Sequence, residues 1–355
     1  MLKLTENMVE ILVQAEKIGE EITINVKGGK AIVSSRDNNM TFLAKLEGVE
    51  EDPKVEEKYF FDKTSMLILK KCPGDIILEK KGDKIKLKSN SYKANLKEPK
   101  VKKTKNESFP KGKYHMGLSE LNKVKKVLYA VSSDMNRPMI TGVNFSIAED
   151  EKLVIGSLDG YRIASNSMEI KKIKNMDTPP IGTEFTISKE ILIKILSIVG
   201  DSAIISIDEA KKTVFFHKDN IIVAVDTLQG KFINYNDMFN QIKCDGSINV
   251  VREELIDAVN RCCIIKKDST AVSLKQQNNE LEISFGLNDK DVEVRETIPS
   301  DATKEIEISF NSQYLLEALN QIDAEDIEIL VSDPSSGIKI IDGDNKALLL
   351  PVNKR

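Results

Sequence analysis

Tryptophan is absent, histidine occurs twice, and aromatic residues make up only 5% of the 355 residues. His115 and His217 stand far apart in sequence, and neither has a cysteine at a ligand spacing. Neither a zinc site nor a hydrolytic triad is therefore expected. The four cysteines, Cys72, Cys244, Cys262 and Cys263, include no Cys-x-x-Cys pair. They read as small buried hydrophobes of a reducing compartment. No apolar run approaches the ~20 residues needed to span a bilayer. The N-terminal MLKLTENMVEILVQAEKIG is acidic and amphipathic rather than leader-like, so a cytoplasmic location without membrane contact is expected. Phosphate-cradling Gly-x-x-x-x-Gly-Lys and Gly-x-Gly-x-x-Gly loops are missing, as is a Gly-x-Ser-x-Gly elbow. The acidic clusters Glu50-Glu51-Asp52, Glu149-Asp150-Glu151 and Asp342/Asp344 read as solvated hairpin tips. No catalytic residue, metal or cofactor is expected.

What remains is a globular composition, 41% hydrophobic and 30% charged, on a chain long enough for two or three domains. The dominant pattern is a long repeat. Residues Phe61–Leu96, Ile187–Leu228 and Phe310–Val352 share one cadence of amphipathic helix, Asp-led apolar strand, polar hairpin and closing apolar strand. The aspartates opening those strands, Asp75, Asp201 and Asp326, are 126 and 125 residues apart. Asp62, Ser188 and Asn311 are suited to cap the helix of each copy. Each copy follows an earlier helix, beginning near Thr5, Ser119 and Arg252.

The reading is an α+β chain of three repeated domains, 1–113, 114–243 and 244–355. Each has two helices packed on antiparallel strands. The first boundary is the lysine-rich link Glu98–Lys113, and the second lies within Asn234–Ser247. The first copy passes from LVQAEKIG almost directly into ITINVKGGKAIVSS and is expected to lack a strand.

Charge is placed unevenly. Net charge is −4, so the molecule as a whole is not basic, yet lysines gather on the helices. Lys63, Lys70 and Lys71, Lys123 and Lys126, Lys189 and Lys194, and Arg252 and Arg261 are candidates for a surface facing a polyanion. Only seven residues are arginine. Two of them bracket a hairpin, in RPMITGVNF and in a strand ending DGYRIA, and arginine's planar fork makes that placement notable.

RPMITGVNF with DGYRIA, LQGKFINY at Leu228–Tyr235, FNSQYLLEAL at Phe310–Leu319 and the terminal ALLLPV resemble the bacterial sliding clamp family, the beta subunits of DNA polymerase III. The likeness covers nearly the whole chain and is weakest over the first domain. It implies a ring-forming DNA clamp fold: a head-to-tail homodimer of three-domain subunits closed around duplex DNA, with helices lining the hole. The implied activity is non-catalytic, a processivity factor held on DNA by topology rather than by sequence. Partners would be the replicative polymerase, the clamp loader and repair proteins. A divergent phage-like or mobile-element scaffold that encircles DNA poorly is the alternative.

The resemblance also implies a groove for a short partner peptide. Its near wall would be Arg137, Ile140, Leu158, Gly160, Tyr161, Arg162 and Ile163. Its far wall would be Asn311, Tyr314, Leu348, Leu350, Pro351 and Val352. Aliphatic side chains would receive peptide anchors while the arginines and Asn311 orient the backbone. Ile233 stands where the family usually has proline and Asp237 where a basic residue is common, with Met238 beside them at the groove's edge. Ile264 and Ile265 match the position that meets the neighbouring subunit, and an exposed apolar pair there would need a cover.

Overall fold

A computed structural model describes residues 1–49, 56–99, 112–210, 212–264, 271–287 and 292–352. The expected hairpin at Glu50-Glu51-Asp52, most of the lysine-rich link, Ile265 and the last three residues lie outside the described residues.

Three passages of the chain have the same element order. The first holds β1 (Leu2–Leu4), α1 (Glu6–Glu16), β2 (Ile22–Lys27), β3 (Lys30–Arg36), β4 (Met40–Leu46) and β5 (Glu56–Phe61). It continues with α2 (Lys63–Leu69), β6 (Ile76–Lys81), β7 (Lys84–Ser89) and β8 (Tyr92–Lys97). The second holds β9 (Tyr114–Leu118), 3₁₀ segments at Leu121–Ala130 and Pro138–Thr141, β10 (Gly142–Ile147), β11 (Leu153–Leu158), β12 (Arg162–Met168) and β13 (Glu184–Ser188). Then come α3 (Lys189–Val199), β14 (Ala203–Asp208), β15 (Thr213–Lys218), β16 (Ile221–Asp226) and a short α4 (Tyr235–Gln241). The third holds β17 (Gly246–Val251), α5 (Arg252–Cys262), β18 (Ala271–Gln277), β19 (Glu280–Leu287), β20 (Val292–Pro299), β21 (Asp301–Ala302) and β22 (Ile306–Asn311). It ends with α6 (Ser312–Leu319), β23 (Asp326–Val331), β24 (Ile338–Asp342) and β25 (Asn345–Leu349).

Two expectations are corrected here. The first passage lacks no strand, because four strands separate its helices just as in the second; only the 3₁₀ turn at Pro138–Thr141 has no counterpart. The helix expected near Ser119 is a 3₁₀ segment rather than an α-helix. Its buried residues Leu121, Val124, Val127 and Ala130 recur every three positions, the repeat of a 3₁₀ helix, so burial and backbone period agree. The stretch expected to hold the second boundary, Asn234–Ser247, carries α4, capped by the Asn234 side chain accepting from the Asp237 amide. The cap aspartate Asp62 accepts from the Ser65 amide at 2.8 Å, and Asn311 accepts from the amides of Gln313 and Tyr314.

The chain forms two compact units. One is built from residues 1–121, 170–179 and 190–227, the other from 122–169, 180–189 and 228–355. The first unit has an eight-stranded sheet, ordered β5-β2-β3-β4-β16-β15-β14-β9, and a four-stranded sheet, β1-β6-β7-β8. The second has a nine-stranded sheet, β13-β10-β11-β12-β25-β24-β23-β17-β21, and a four-stranded sheet, β20-β19-β18-β22. The repeat and the contact units therefore differ. The second passage gives β9 and β14–β16 to one sheet through the β4–β16 pairing, and β10–β13 to the other through β12–β25.

In the second unit a large core joins α5, α6 and both sheets around Leu255, Val259, Ile283, Phe310 and Leu315. A separate small cluster joins Ile140, Leu158, Ile163, Phe232, Tyr235 and Leu348. Among the described residues no helix is long and apolar enough to cross a membrane. All four cysteines are free, and burial pushes the Cys262 thiol up to about 11.

Candidate functional site

One of the hairpin arginines, Arg162, and the C-terminal strand meet in one sheet of the second unit. β12 and β25 pair antiparallel, setting Arg162 opposite Leu349, Ile163 opposite Leu348 and Ala164 opposite Ala347. Beyond the ladder, Leu350 N–H donates to the Tyr161 carbonyl at 2.8 Å and Val352 N–H to the Ser309 carbonyl at 2.8 Å. Segments nearly two hundred residues apart are thus fixed by backbone hydrogen bonds, which hold position better than side-chain contacts alone.

The residues assigned to the two walls divide into a floor and a rim. Ile140, Leu158, Ile163 and Leu348 are buried, sealed from below by Phe232 and Tyr235, with Met139, Phe239 and Ile242 packed alongside. Gly156 permits this, since a Cβ there would lie 2.2 Å from the Tyr235 ring. Above the floor stand exposed apolar groups: Tyr161 at 59%, Ile233 at 42% and Met238 at 40%. Leu350, Pro351, Val352 and Tyr314 are half-buried, and the Tyr161 and Tyr314 rings lie 6.2 Å apart. A buried apolar floor with exposed apolar edges can accept the side chains of a short peptide.

The arginines do not share one job. Arg137 is exposed, its Nε donating to Asp134 at 2.8 Å, and Gly160 reaches its turn with φ of +98°. Arg162 is only 7% exposed. Its Nε donates to Asp159 at 2.9 Å, one terminal nitrogen to the Tyr129 carbonyl at 2.6 Å and the other to Glu317. The guanidinium lies 4.0 Å from the Tyr314 ring centre and 5.3 Å from that of Tyr129. All three nitrogens donate inside the protein and the side chain is buried, so the expectation that Arg162 orients an incoming peptide is corrected. It clamps the DGYR turn to α6 and to the 3₁₀ segment. Asn311 likewise spends its carbonyl oxygen capping α6. Burial raises the Tyr129 and Tyr314 phenols, keeping both neutral donors at ordinary pH.

Four contributors escaped the sequence reading. Phe232, Tyr235 and Phe239 pack on and around the small apolar cluster, and their only sequence signal was aromatic spacing within a stretch that looked like a connection. Lys339, on β24, is buried; its ammonium donates to the Ile242 carbonyl and lies 4.7 Å from the Phe239 ring centre. It ties α4, and with it Ile233 and Met238, to the sheet. Asp237 accepts from the Asn234 side-chain amide at 2.6 Å while its own N–H is capped by Asn234, so the acidic residue at this edge secures the helix start.

The cations assigned to a DNA-facing surface are only partly available. Lys63 and Lys71 are exposed and carry no ion pair among the described residues. Lys70 pairs with Glu16, Lys126 with Asp323, Lys194 with Asp37 at 3.4 Å, and Arg261 with Glu296. Lys123 donates to the Ser167 carbonyl at 3.0 Å, and Lys189 is half-buried. Arg252 is corrected: it is largely covered and donates to the Ala324 carbonyl at 3.0 Å, joining α5 to the turn before β23. Ile264 is 67% exposed at the end of α5.

The histidines are not isolated. β14 lies between β9 and β15, so His115 sits opposite Ser206, whose hydroxyl is 2.6 Å from Nε2 of His217. Asp342 accepts the Asp323 amide at 2.9 Å, and Asp344 lies 3.6 Å from the Lys152 ammonium and 3.7 Å from that of Lys123. Among the described residues no group of three or more His, Cys, Asp or Glu could hold a metal ion.

Two family models match the chain: the DNA polymerase III beta subunit central domain over residues 119–234, and its C-terminal domain over residues 243–352. The beta sliding clamp of Synechococcus elongatus is 27% identical over 225 residues, covering 61% of this chain and 57% of that protein. The beta sliding clamp of Staphylococcus aureus is 24% identical over 227 residues, covering 59% and 54%. The chain thus spans little more than half the length of the curated relatives it matches. Among solved structures, a putative DNA polymerase III beta subunit from Eubacterium rectale superposes with a TM-score of 0.87 at 21% identity, covering all of both chains. The DNA polymerase sliding clamp of Bacillus subtilis gives 0.85 at 19% identity, covering 100% of this chain and 99% of that one. With those two domain models together spanning well over half of its residues, the chain belongs to the DNA polymerase III beta subunit family, the bacterial beta sliding clamps.

Proposed function

We propose that this protein is a cytoplasmic processivity clamp. It forms a homodimeric ring around duplex DNA, carries out no chemistry of its own, and tethers a replicative polymerase, a clamp loader and repair proteins through a linear peptide. The carrying observation is the floor-and-rim platform at β12 and β25, where buried Ile140, Leu158, Ile163 and Leu348 lie beneath exposed Tyr161, Ile233 and Met238. Three domains, with boundaries near residues 113 and 243, are part of the same reading. The split of the middle passage between two sheets supports it, since such a split ties one domain to the next by backbone pairing.

Dimerisation is supported by edges. β8 ends one four-stranded sheet and β20 another, and neither outer edge is paired among the described residues. A free edge is a template for another strand. On β20 Glu293 already pairs with Arg295 and Glu296 with Arg261, so a head-to-tail contact along these edges would rest on backbone pairing rather than on Lys93 and Lys97. Ile264 is an apolar group such a contact would cover. A scaffold that encircles DNA poorly would gain support from a first passage short of a strand, and that passage has four strands between its helices, as the second does.

Sedimentation of the full chain tests the ring. The reading expects a species of twice 39.7 kDa at micromolar concentration. A stable monomer at that concentration would contradict it.

A further inference from the structure

Residues 76–97 contain seven lysines against Glu79 and Asp83, an excess of five positive charges in a chain whose net charge is −4. These residues form β6, β7 and β8, and cross-strand register sorts the charges by face. Ile76, Leu78, Ile85, Leu87 and Leu96 are buried on one side. On the other, three rows run across the strands: Ile77, Lys88 and Lys93; Glu79, Lys86 and Asn95; Lys81, Lys84 and Lys97. Six lysines therefore share one face with a single carboxylate. None of the six has an ion pair among the described residues.

The register also sets lysine directly opposite lysine three times, at Lys88–Lys93, Lys81–Lys84 and Lys84–Lys97. Like charges in that position disfavour the sheet. A strand would relieve them by alternating signs, as Glu79–Lys86 does once. Along β7 the ammonium stems stand about 7 Å apart, and neighbouring strands lie about 5 Å apart, so the array is regular and nearly flat. A depression of about 480 Å³ opens in it, bordered by Met1, Glu79, Lys86, Lys88, Lys93 and Asn95. Ile77 is half-buried within the face and exposed Met1 stands at the rim of the depression, but the remaining exposed surface is lysine with Glu79 and Asn95, too polar to seat an apolar peptide anchor or to enter a bilayer. A phosphate backbone needs only cations at intervals.

We propose that the exposed face of the β6–β8 sheet is a second nucleic-acid surface, which holds a sugar-phosphate strand without reading its bases. It is separate from the helix lysines assigned to encircled duplex. Edge pairing along β8 would use that strand's backbone and leave the face open. The inference gains its biological sense from the clamp reading, but the site itself follows from the strand register alone.

The test uses the full chain and a labelled single-stranded 20-mer, which has no topology to be trapped in, followed by fluorescence anisotropy across a salt series. Binding should weaken with salt along a log–log slope of about −2 to −3, as for three or four phosphates on a single strand. Lys86→Glu/Lys88→Glu/Lys93→Glu should lower affinity at least tenfold, and Lys86→Gln/Lys88→Gln should lower it less while flattening the slope. Lys63→Glu/Lys71→Glu, on the helix surface assigned to encircled duplex, should lower it much less than the triple variant does. Circular dichroism and sedimentation would show that the variants keep their fold and assembly. Equal binding by wild type and triple variant would overturn the proposal, as would loss only in the helix variant. Equal, Lys86-dependent capture of polyglutamate or of phosphatidylserine vesicles would replace it with an unspecialised anionic surface. Failure of ring loading with oligonucleotide binding intact would count against the clamp reading and not against this face.

Discussion

Replacing Arg162 with alanine distinguishes a clamp inside the protein from a contact to a partner. The guanidinium is nearly inaccessible and serves three acceptors, the Asp159 carboxylate, the Glu317 carboxylate and the Tyr129 carbonyl. Truncation leaves Asp159 without its cation while that carboxylate still caps the amides of Tyr161 and Arg162. Removing one partner of a buried pair costs about 3–5 kcal/mol. Glu317 is a third exposed and can rehydrate, which argues for the lower end. Loss of the stacked contact with Tyr314 adds about 1 kcal/mol. The expected total is about 4 kcal/mol, felt in the unit that holds the platform. With no tryptophan to report unfolding, urea denaturation followed by circular dichroism is the suitable assay. Arg162→Lys should recover less than half, because one ammonium cannot serve three acceptors spread around a planar fork. A stability change below about 1 kcal/mol, together with abolished peptide binding, would refute the reasoning and restore Arg162 as a direct peptide contact.

Other expectations follow from the same geometry. Tyr161→Ala and Leu350→Ala should each weaken a polymerase-derived peptide by about 1–3 kcal/mol in calorimetry with little effect on stability, since both stand on the rim. Lys339→Met should cost about 1–2 kcal/mol by stranding the Ile242 carbonyl, and should loosen α4 in hydrogen exchange before any other helix of its unit. Burial, with His115 nearby, lowers the His217 pKa below its usual 6.5. The unfolded chain therefore takes up a proton first as pH falls, so stability is highest above about 6.5 and declines below it until the folded pKa is passed. His217→Asn should flatten thermal stability between pH 7 and 5.5, and an unchanged slope would contradict that assignment.

Much of the fold was legible because it is local and repeated. Asp75, Asp201 and Asp326 mark the same point in three passages, and Asp62 and Asn311 cap helices as their side chains suggest. What escaped was long-range. Nothing near Ala224 or Ala164 announces that β16 will pair with β4 or β12 with β25, because pairing partners a hundred or more residues apart leave no periodicity. The same limit hid the meeting of His115, Ser206 and His217 across β14. Arg162 was found as an unusual residue, but its burial depends on Glu317 and Tyr129, which no spacing rule connects to it. The helix lysines were read as a free stripe, yet Glu16, Asp37 and Asp323 reach several of them from other elements. Aromatic Phe232, Tyr235 and Phe239 were hidden by the polar residues around them, which made a short helix look like a connection.

The most direct measurement compares the chain loaded by a clamp loader and ATP on nicked circular duplex with the same chain on a linearised copy, followed by gel filtration in high salt. A closed ring stays with the circle and slides off the line, because high salt removes phosphate contacts but not topology. Equal loss from both, or equal retention on both, would contradict the ring.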